Sequence, residues 1–296
     1  MRILITGAGG MLGVDAEKFF RDSGHEVLAT ARQSTNGAIP LDVRDPKATR
    51  ELIRDCFPDV VLHCAANTNV DGCERDPDAA YRDNALGTWS VAVAAEQVGA
   101  TLIAISTDFV FDGAQGRPYT EFDEPNPLGV YAASKLAAER LALRHCQRTY
   151  VVRTSWLYGL HGRNFVYTVA KRAKESGELF VVADQRGTPT FTMDLAASLA
   201  ALLDTKLYGL YHVNNAGSAT WYEFARAIVD RTGLRDVAIH PLTSEECAVR
   251  FNTPTARPKN SVLRRYNLEL LGCDTMRPWQ SALDAFIADA RGAGTI

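Results

Sequence analysis

A doubly wound α/β fold, with a parallel sheet covered by helices on both faces and a smaller C-terminal lobe, is predicted by three features of the sequence. Short apolar runs alternate with amphipathic helical patterns through the first half of the chain. A glycine-rich segment, Thr6-Gly7-Ala8-Gly9-Gly10-Met11-Leu12-Gly13, follows the first apolar run and opens the first helical pattern. Beyond about residue 155 the rhythm loosens. Gly- and Pro-bearing segments at 159–162, 187–189 and 253–258 there alternate with helical patterns at 165–176, 192–203, 221–232 and 279–290.

Taken in order, residues 2–6, 26–30, 60–64, 101–106 and 150–154 read as strands. Their apolar character on both faces fits a sheet buried between two helix layers. Residues 11–23, 47–56 and 131–143 carry apolar positions at helical spacing and supply covering helices. This organisation assigns residues 1–155 to a dinucleotide-binding domain and 156–296 mainly to a substrate-binding lobe, interleaved with the last strands of the sheet.

The 296 residues are 46% hydrophobic and 23% charged, the balance of a soluble globule with a sizeable core. With 32 basic and 35 acidic side chains the formal charge is −3. No general attraction therefore draws nucleic acid or an anionic membrane to the chain, and a phosphate must be met by local donors. Cys56, Cys64, Cys73, Cys146, Cys247 and Cys273 include no C-x-x-C pair, so buried free thiols are expected rather than a metal site. The first apolar run leads directly into glycines rather than forming a signal peptide, and no apolar run reaches transmembrane length. A cytoplasmic enzyme is expected.

Gly7, Gly10 and Gly13 stand after a strand and before a helix, where backbone N–H groups can approach a pyrophosphate. The second strand leads into Ala31-Arg32, with no acid to accept from a ribose 2′-hydroxyl. Arg32 either forks onto a 2′-phosphate, favouring NADPH over NADH, or faces solvent. Asp42 and Val43 are placed for the adenine end, and Asp42 would serve equally well as a cap before Pro46. The third strand runs into Ala65, Ala66, Asn67 and Thr68, where a dinucleotide can approach the carboxyl edge of the sheet, while His63 reads as a core residue.

Hydride reduction of a ketone places negative charge on the carbonyl oxygen, so the site needs a proton donor and a second hydrogen bond. Tyr131 is the candidate acid, and Lys135, four residues on, shares its helix face. A neighbouring ammonium is expected to lower the phenol from its usual pKa of about 10 toward working pH. Thr107, at the end of the strand over 101–106, can donate its hydroxyl to the same oxygen.

The glycine segment, Ser106-Thr107-Asp108-Phe109-Val110-Phe111-Asp112-Gly113, Tyr131-Ala132-Ala133-Ser134-Lys135 and Arg153-Thr154-Ser155-Trp156-Leu157-Tyr158-Gly159 together resemble the dTDP-4-dehydrorhamnose reductase family, a branch of the extended short-chain dehydrogenases/reductases. Asp184-Gln185-x-Gly187-x-Pro189, Gly209-Leu210-Tyr211-His212 and Arg257-Pro258-x-Asn260-Ser261 extend the likeness over essentially the whole chain. The resemblance implies reduction of the C4 ketone of a dTDP-4-keto-6-deoxy-L-sugar, in the usual case dTDP-4-dehydrorhamnose to dTDP-L-rhamnose. It implies Gly10, Met11 and Leu12 at the pyrophosphate, Asp42 and Val43 at the adenine end, and Ala66, Asn67 and Thr68 at the nicotinamide. Tyr131 is implied as proton donor, Lys135 as its electrostatic partner and ribose ligand, Thr107 as carbonyl ligand, and Asp108 and Trp156 as walls of the sugar pocket. Phe109 stands where the family usually has Tyr, and Tyr-Ala-Ala-Ser-Lys replaces its usual Tyr-Gly-x-x-Lys.

Arg257, between Thr255 and Lys259, offers the dTDP moiety a diphosphate or ribose contact, or else stabilises its loop. Two rivals share the scaffold. A sugar-nucleotide dehydratase or epimerase is one, but elimination of water calls for an acid at the place Phe109 occupies. A dinucleotide-binding regulatory subunit of a methionine adenosyltransferase is the other, and Trp156 argues against it because that regulator lacks the equivalent residue. Some family members are magnesium-linked dimers. No carboxylate cluster here calls for Mg²⁺, and a homodimer is left open.

Overall fold

Strand β1 (Arg2–Thr6) lies inside a seven-stranded sheet, between β2 (Glu26–Ala31) and β4 (Val60–His63). Beyond β2 lies β3 (Ile39–Pro40); beyond β4 follow β5 (Thr101–Thr107), β6 (Thr149–Thr154) and the strand Gly209–His212. Every pair in this sheet is parallel. The computed structural model describes residues 1–33, 37–253 and 255–296; Pro254, within the predicted loop at 253–258, lies outside them.

The alternation of strand side chains explains the two helix layers. Ile3, Ile5 and Leu62 pack with Ala16 and Phe20 of α1 (Met11–Asp22) and with Leu195 and Leu199 of the helix Thr192–Thr205. Leu4, Val61 and Leu102 face the other way, onto Ile53 of α2 (Pro46–Cys56). Between β4 and β5 come α3 (Val70–Arg75), α4 (Pro77–Tyr81), a π-turn at Arg82–Leu86 and α5 (Gly87–Val98), whose Val91 and Ala95 join that second layer. It is completed by Ala142 of α6 (Val130–His145). In sequence α5 shows little amphipathic stripe, because seven of its twelve residues are buried.

Beyond residue 155 the chain contributes the last strand and one helix to the sheet, and builds a second core. Tyr158, Val169, Phe191, Phe224, Ile228, Leu283 and Phe286 form its centre, drawn largely from helices Phe165–Ser176, Trp221–Thr232 and Trp279–Gly292. A parallel pair, Glu178–Val182 with Ala238–Leu242, flanks it. Before Pro46 the two caps are divided: Asp42 Oδ1 caps the turn by accepting from Arg44 N at 3.0 Å, while Asp45 caps the helix, its carboxylate accepting from Lys47 N at 2.9 Å and Ala48 N at 3.0 Å. All six cysteines are free; Cys73 and Cys146 are buried, while the other four are half-buried, contrary to the expectation of uniform burial. Among the described residues no helix is long and apolar enough to cross a membrane.

Candidate active site

Strand order reverses between β1 and β4, so their carboxyl ends diverge and open a crevice. The turn after β1 lines it with backbone. Gly7 has φ 69°, and a Cβ there would lie 2.6 Å from Ala65 N, so only glycine lets the two strand ends approach this closely. Gly13 serves packing as well, because its Cβ would meet Gly7 O at 2.5 Å. Leu12 is a core side chain, so it and Gly13 present backbone alone at the start of α1, whose N-terminus no side chain caps. Met11 follows Gly10 in the same turn and is half-buried.

The crevice, about 1070 Å³, is lined by Gly7, Gly10, Arg32, Asp42, Val43, Ala65, Ala66, Asn67 and Thr68, all singled out from sequence. It is also lined by Arg44, which pattern reasoning missed. Arg44 grips Asp42 with Nε at 2.9 Å and Nη2 at 2.6 Å, and this pairing holds the Asp42 carboxyl below its ordinary range. The result is two guanidiniums, Arg32 and Arg44, on one wall. Elsewhere in the lining Asn67 N donates to Asn84 Oδ1 at 2.7 Å, and Asn84 Nδ2 donates to Ser134 Oγ of α6 at 2.9 Å. That link from crevice to α6 depends on the π-turn carrying Asn84, which leaves no sequence signal. His63 is core: its ring bridges Thr6 Oγ1 at 2.7 Å and Thr88 Oγ1 at 3.0 Å, and burial pushes its pKa down to about 3.

Thr107, Tyr131 and Lys135 come together where the end of β5 meets the start of α6. The Thr107 hydroxyl lies beside the Tyr131 phenol, and Lys135 Nζ donates to Ile105 O at 2.7 Å. Cys64, on the crevice wall, faces Lys135. Burial pushes Tyr131 up to about 12 and pulls Lys135 down to about 8. The expectation that Lys135 lowers the phenol is corrected here: desolvation is the larger influence, and the ammonium is turned to a backbone carbonyl. Asp108 is 2% exposed, with Oδ1 accepting from Thr107 Oγ1 at 3.2 Å and Oδ2 from Ser261 Oγ. Burial raises it to about 7. It therefore stands behind Thr107, and its oxygens already have partners.

Phe109 meets the Tyr131 ring edge-on at 6.0 Å and lines a second cavity of about 1030 Å³. Phe165, Phe180, Trp221, Arg172, Arg250 and Arg257 also line it. Trp156 stacks on Trp221, with centroids 3.6 Å apart, and packs so closely on Gly187 that a Cβ there would lie 2.5 Å from its ring. Its φ of 47° is a strained value for tryptophan. Arg257 lines the cavity while donating to Asp71 Oδ2 at 3.0 Å and Thr255 O at 3.1 Å, so part of its fork is already engaged.

The family model described as RmlD substrate binding domain matches residues 1–291. A dTDP-4-dehydrorhamnose reductase of Mycobacterium tuberculosis is 39% identical, covering 97% of this chain and 92% of its own. Among solved structures, a Clostridium acetobutylicum dTDP-4-dehydrorhamnose reductase superposes with TM-score 0.92 at 43% identity, covering 98% of this chain and 100% of its own. A Bacillus anthracis dTDP-4-dehydrorhamnose reductase in complex with NADP gives TM-score 0.91 at 38% identity, covering 97% of this chain and 99% of its own. Matches of this extent, falling on a site with Thr107, Tyr131 and Lys135 together, show that the chain belongs to the dTDP-4-dehydrorhamnose reductase family.

Proposed function

We propose that this chain reduces the C4 ketone of a dTDP-4-keto-6-deoxy-L-sugar with NADPH, most simply dTDP-4-dehydrorhamnose to dTDP-L-rhamnose. The observation that carries the reading is the grouping of Thr107, Tyr131 and Lys135, with Lys135 facing Cys64 of one cavity's lining and Tyr131 against Phe109 of the other's.

The crevice fits a nicotinamide dinucleotide in its donors as well as its size. The uncapped start of α1 at Gly10, Met11 and Leu12 suits a pyrophosphate. Asp42 and Val43 border the adenine end, Arg32 and Arg44 suit a 2′-phosphate, and Ala66, Asn67 and Thr68 approach the nicotinamide. When bound, the cofactor supplies hydride. The chain's own groups handle the oxygen. Tyr131 keeps its proton at neutral pH, as a donor to an incipient alkoxide must, and Thr107 supplies the second hydrogen bond. Lys135, its Nζ held on Ile105 O rather than on the phenol, suits the ribose of the dinucleotide. Trp156, through Trp221, and Asp108, through Thr107, fix the walls against which the sugar lies.

In the second cavity Arg257, Arg172 and Arg250 provide cations, and Phe180 and Trp221 provide ring faces, for the nucleoside diphosphate. The reading includes a division of labour, with residues 1–155 holding the dinucleotide and 156–296 mainly the substrate, and a cytoplasmic setting. The test is NADPH oxidation by the purified chain with dTDP-4-keto-6-deoxy-L-sugars, with NMR identification of the product. A chain that binds NADPH but oxidises it with none of them is a regulator, and this reading fails.

A further inference from the structure

Tyr131, Lys135 and Glu139 follow at intervals of four along one face of α6. Glu139 and Lys135 are each only 4% exposed. The Glu139 carboxylate gathers two strands: Oε1 accepts from Ser106 Oγ at 2.5 Å and from Arg153 Nε at 2.9 Å, and Oε2 from Arg153 Nη2 at 2.7 Å. Ser106 immediately precedes Thr107 on β5, and Arg153 stands on β6. Lys135 Nζ holds Ile105 O of the same β5 end. One turn apart, therefore, α6 is tied twice to the strand that carries Thr107.

We propose that Glu139 is a further positioning residue of the reduction: it is the counter-charge that keeps buried Lys135 an ammonium, and the tie that holds Thr107 opposite Tyr131. The catalytic consequence rests on the reductase reading; the charge relation does not.

Titratable groups face Lys135 from two sides, Glu139 from α6, and His63 at the end of β4 with Cys64 just after it, while Arg153 of β6 reaches it through Glu139. Burial keeps the His63 imidazole neutral, with its pKa near 3, and the Cys64 thiol protonated up to about 12. Neither can balance an ammonium. Glu139 can, and its pull opposes the desolvation that lowers Lys135 to about 8. Without the carboxylate, two buried cations share a low-dielectric site. Arginine does not release its proton there, so lysine must. Removing Arg153 instead leaves the whole carboxylate to Lys135 and favours the ammonium.

The two substitutions therefore predict opposite shifts, which a merely structural brace does not. The ligand-free protein labelled with ¹³Cε-lysine is titrated by NMR; it has seven lysines, and Lys135→Met assigns the signal. We expect a wild-type midpoint near 8, a midpoint lower by about one pH unit or more in Glu139→Gln, and a higher one in Arg153→Met. The alkaline limb of kcat/KM should move with each midpoint. Unshifted midpoints in folded variants overturn the proposal. If Glu139→Gln does not fold, the rise in Arg153→Met decides alone, and its absence overturns the proposal equally. A wild type that oxidises no NADPH defeats the reductase reading while the NMR midpoints still decide this one.

Discussion

The crevice at the end of the sheet and the cavity in the C-terminal lobe differ little in volume, about 1070 and 1030 Å³, but they are built oppositely. The first rests on backbone, with strand ends, a glycine turn at Gly7 and Gly10 and an uncapped helix start, to which Arg32, Asp42 and Arg44 add side chains. The second is a side-chain surface, assembled from Phe109, Phe165, Phe180, Trp221 and the arginines Arg172, Arg250 and Arg257. A backbone surface binds what every dinucleotide shares, whereas a side-chain surface can be altered residue by residue. Under the proposed function, the first surface serves the cofactor and the side chains of the second lobe serve substrate choice.

The largest expected effect falls where the two regions meet. Tyr131→Phe removes the proton donor and leaves both cavities intact, so kcat should drop by about a hundredfold or more while NADPH and dTDP affinities stay within about twofold. Steady-state kinetics with parallel binding isotherms check this. A comparable loss in either affinity would mean that Tyr131 is part of a binding wall and that the division is wrong.

The next effect tests whether side chains matter within the backbone-built crevice. Arg32→Ala and Arg44→Ala should each erode the preference for NADPH over NADH, roughly ten- to a hundredfold in kcat/KM, the scale of a lost charge-assisted hydrogen bond. Equal kcat/KM for the two cofactors, unchanged in Arg32→Ala, would leave Arg32 as a solvent-facing residue.

How far each region was legible follows from its construction. Gly7, Gly10 and Gly13 sit in a strand–turn–helix frame, and that frame has a sequence pattern because the backbone conformation demands it. The Tyr131–Lys135 spacing was equally legible, since one helix carries both. Arg44 was not: its role depends on a bidentate grip on Asp42 that no periodicity announces. Burial overturned the expected fall in the Tyr131 pKa, because depth below the surface cannot be read from the spacing of two residues. In the C-terminal lobe, helices such as Trp221–Thr232 declared themselves through capping and apolar stripes, yet the stacking of Trp156 on Trp221 is tertiary and silent in sequence.

Buried polar pins sharpen the comparison through pH. His63 fastens β1 to α5 behind the crevice, and its pKa falls from 6.5 to about 3 on folding. A depressed histidine contributes stability that is present above pH 6.5 and lost as pH falls toward 3. Between pH 7 and 5 this loss is about 2 kcal/mol. Asp108, raised to about 7, acts in the opposite sense, because the folded state takes up its proton first. Net acid sensitivity is therefore a poor readout, and the difference between proteins is the useful one. Denaturant unfolding at both pH values should show His63→Gln losing about 2 kcal/mol less than wild type. Identical losses would mean that His63 is not held neutral.

The smallest effect probes the side-chain cavity at Arg257. Its Nη2 already serves Asp71 of α3 and its Nη1 the Thr255 carbonyl, so a substrate phosphate gains only what remains of the fork or must compete for it. A charge-assisted bond is ordinarily stronger than this competition allows, and Arg257→Ala should raise both KM for the sugar nucleotide and the inhibition constant of dTDP only about three- to tenfold. Turnover should fall as well, since energy from a remote handle helps orient the reacting sugar. Arg257→Lys keeps the charge but loses the fork and should fall between. Asp71→Asn provides the opposing measurement: it releases the guanidinium and should tighten dTDP inhibition. If Arg257→Ala folds and both constants stay within twofold of wild type, with Asp71→Asn also unchanged, Arg257 only braces its loop against α3, and the diphosphate is left to Arg172 or Arg250 of the same cavity.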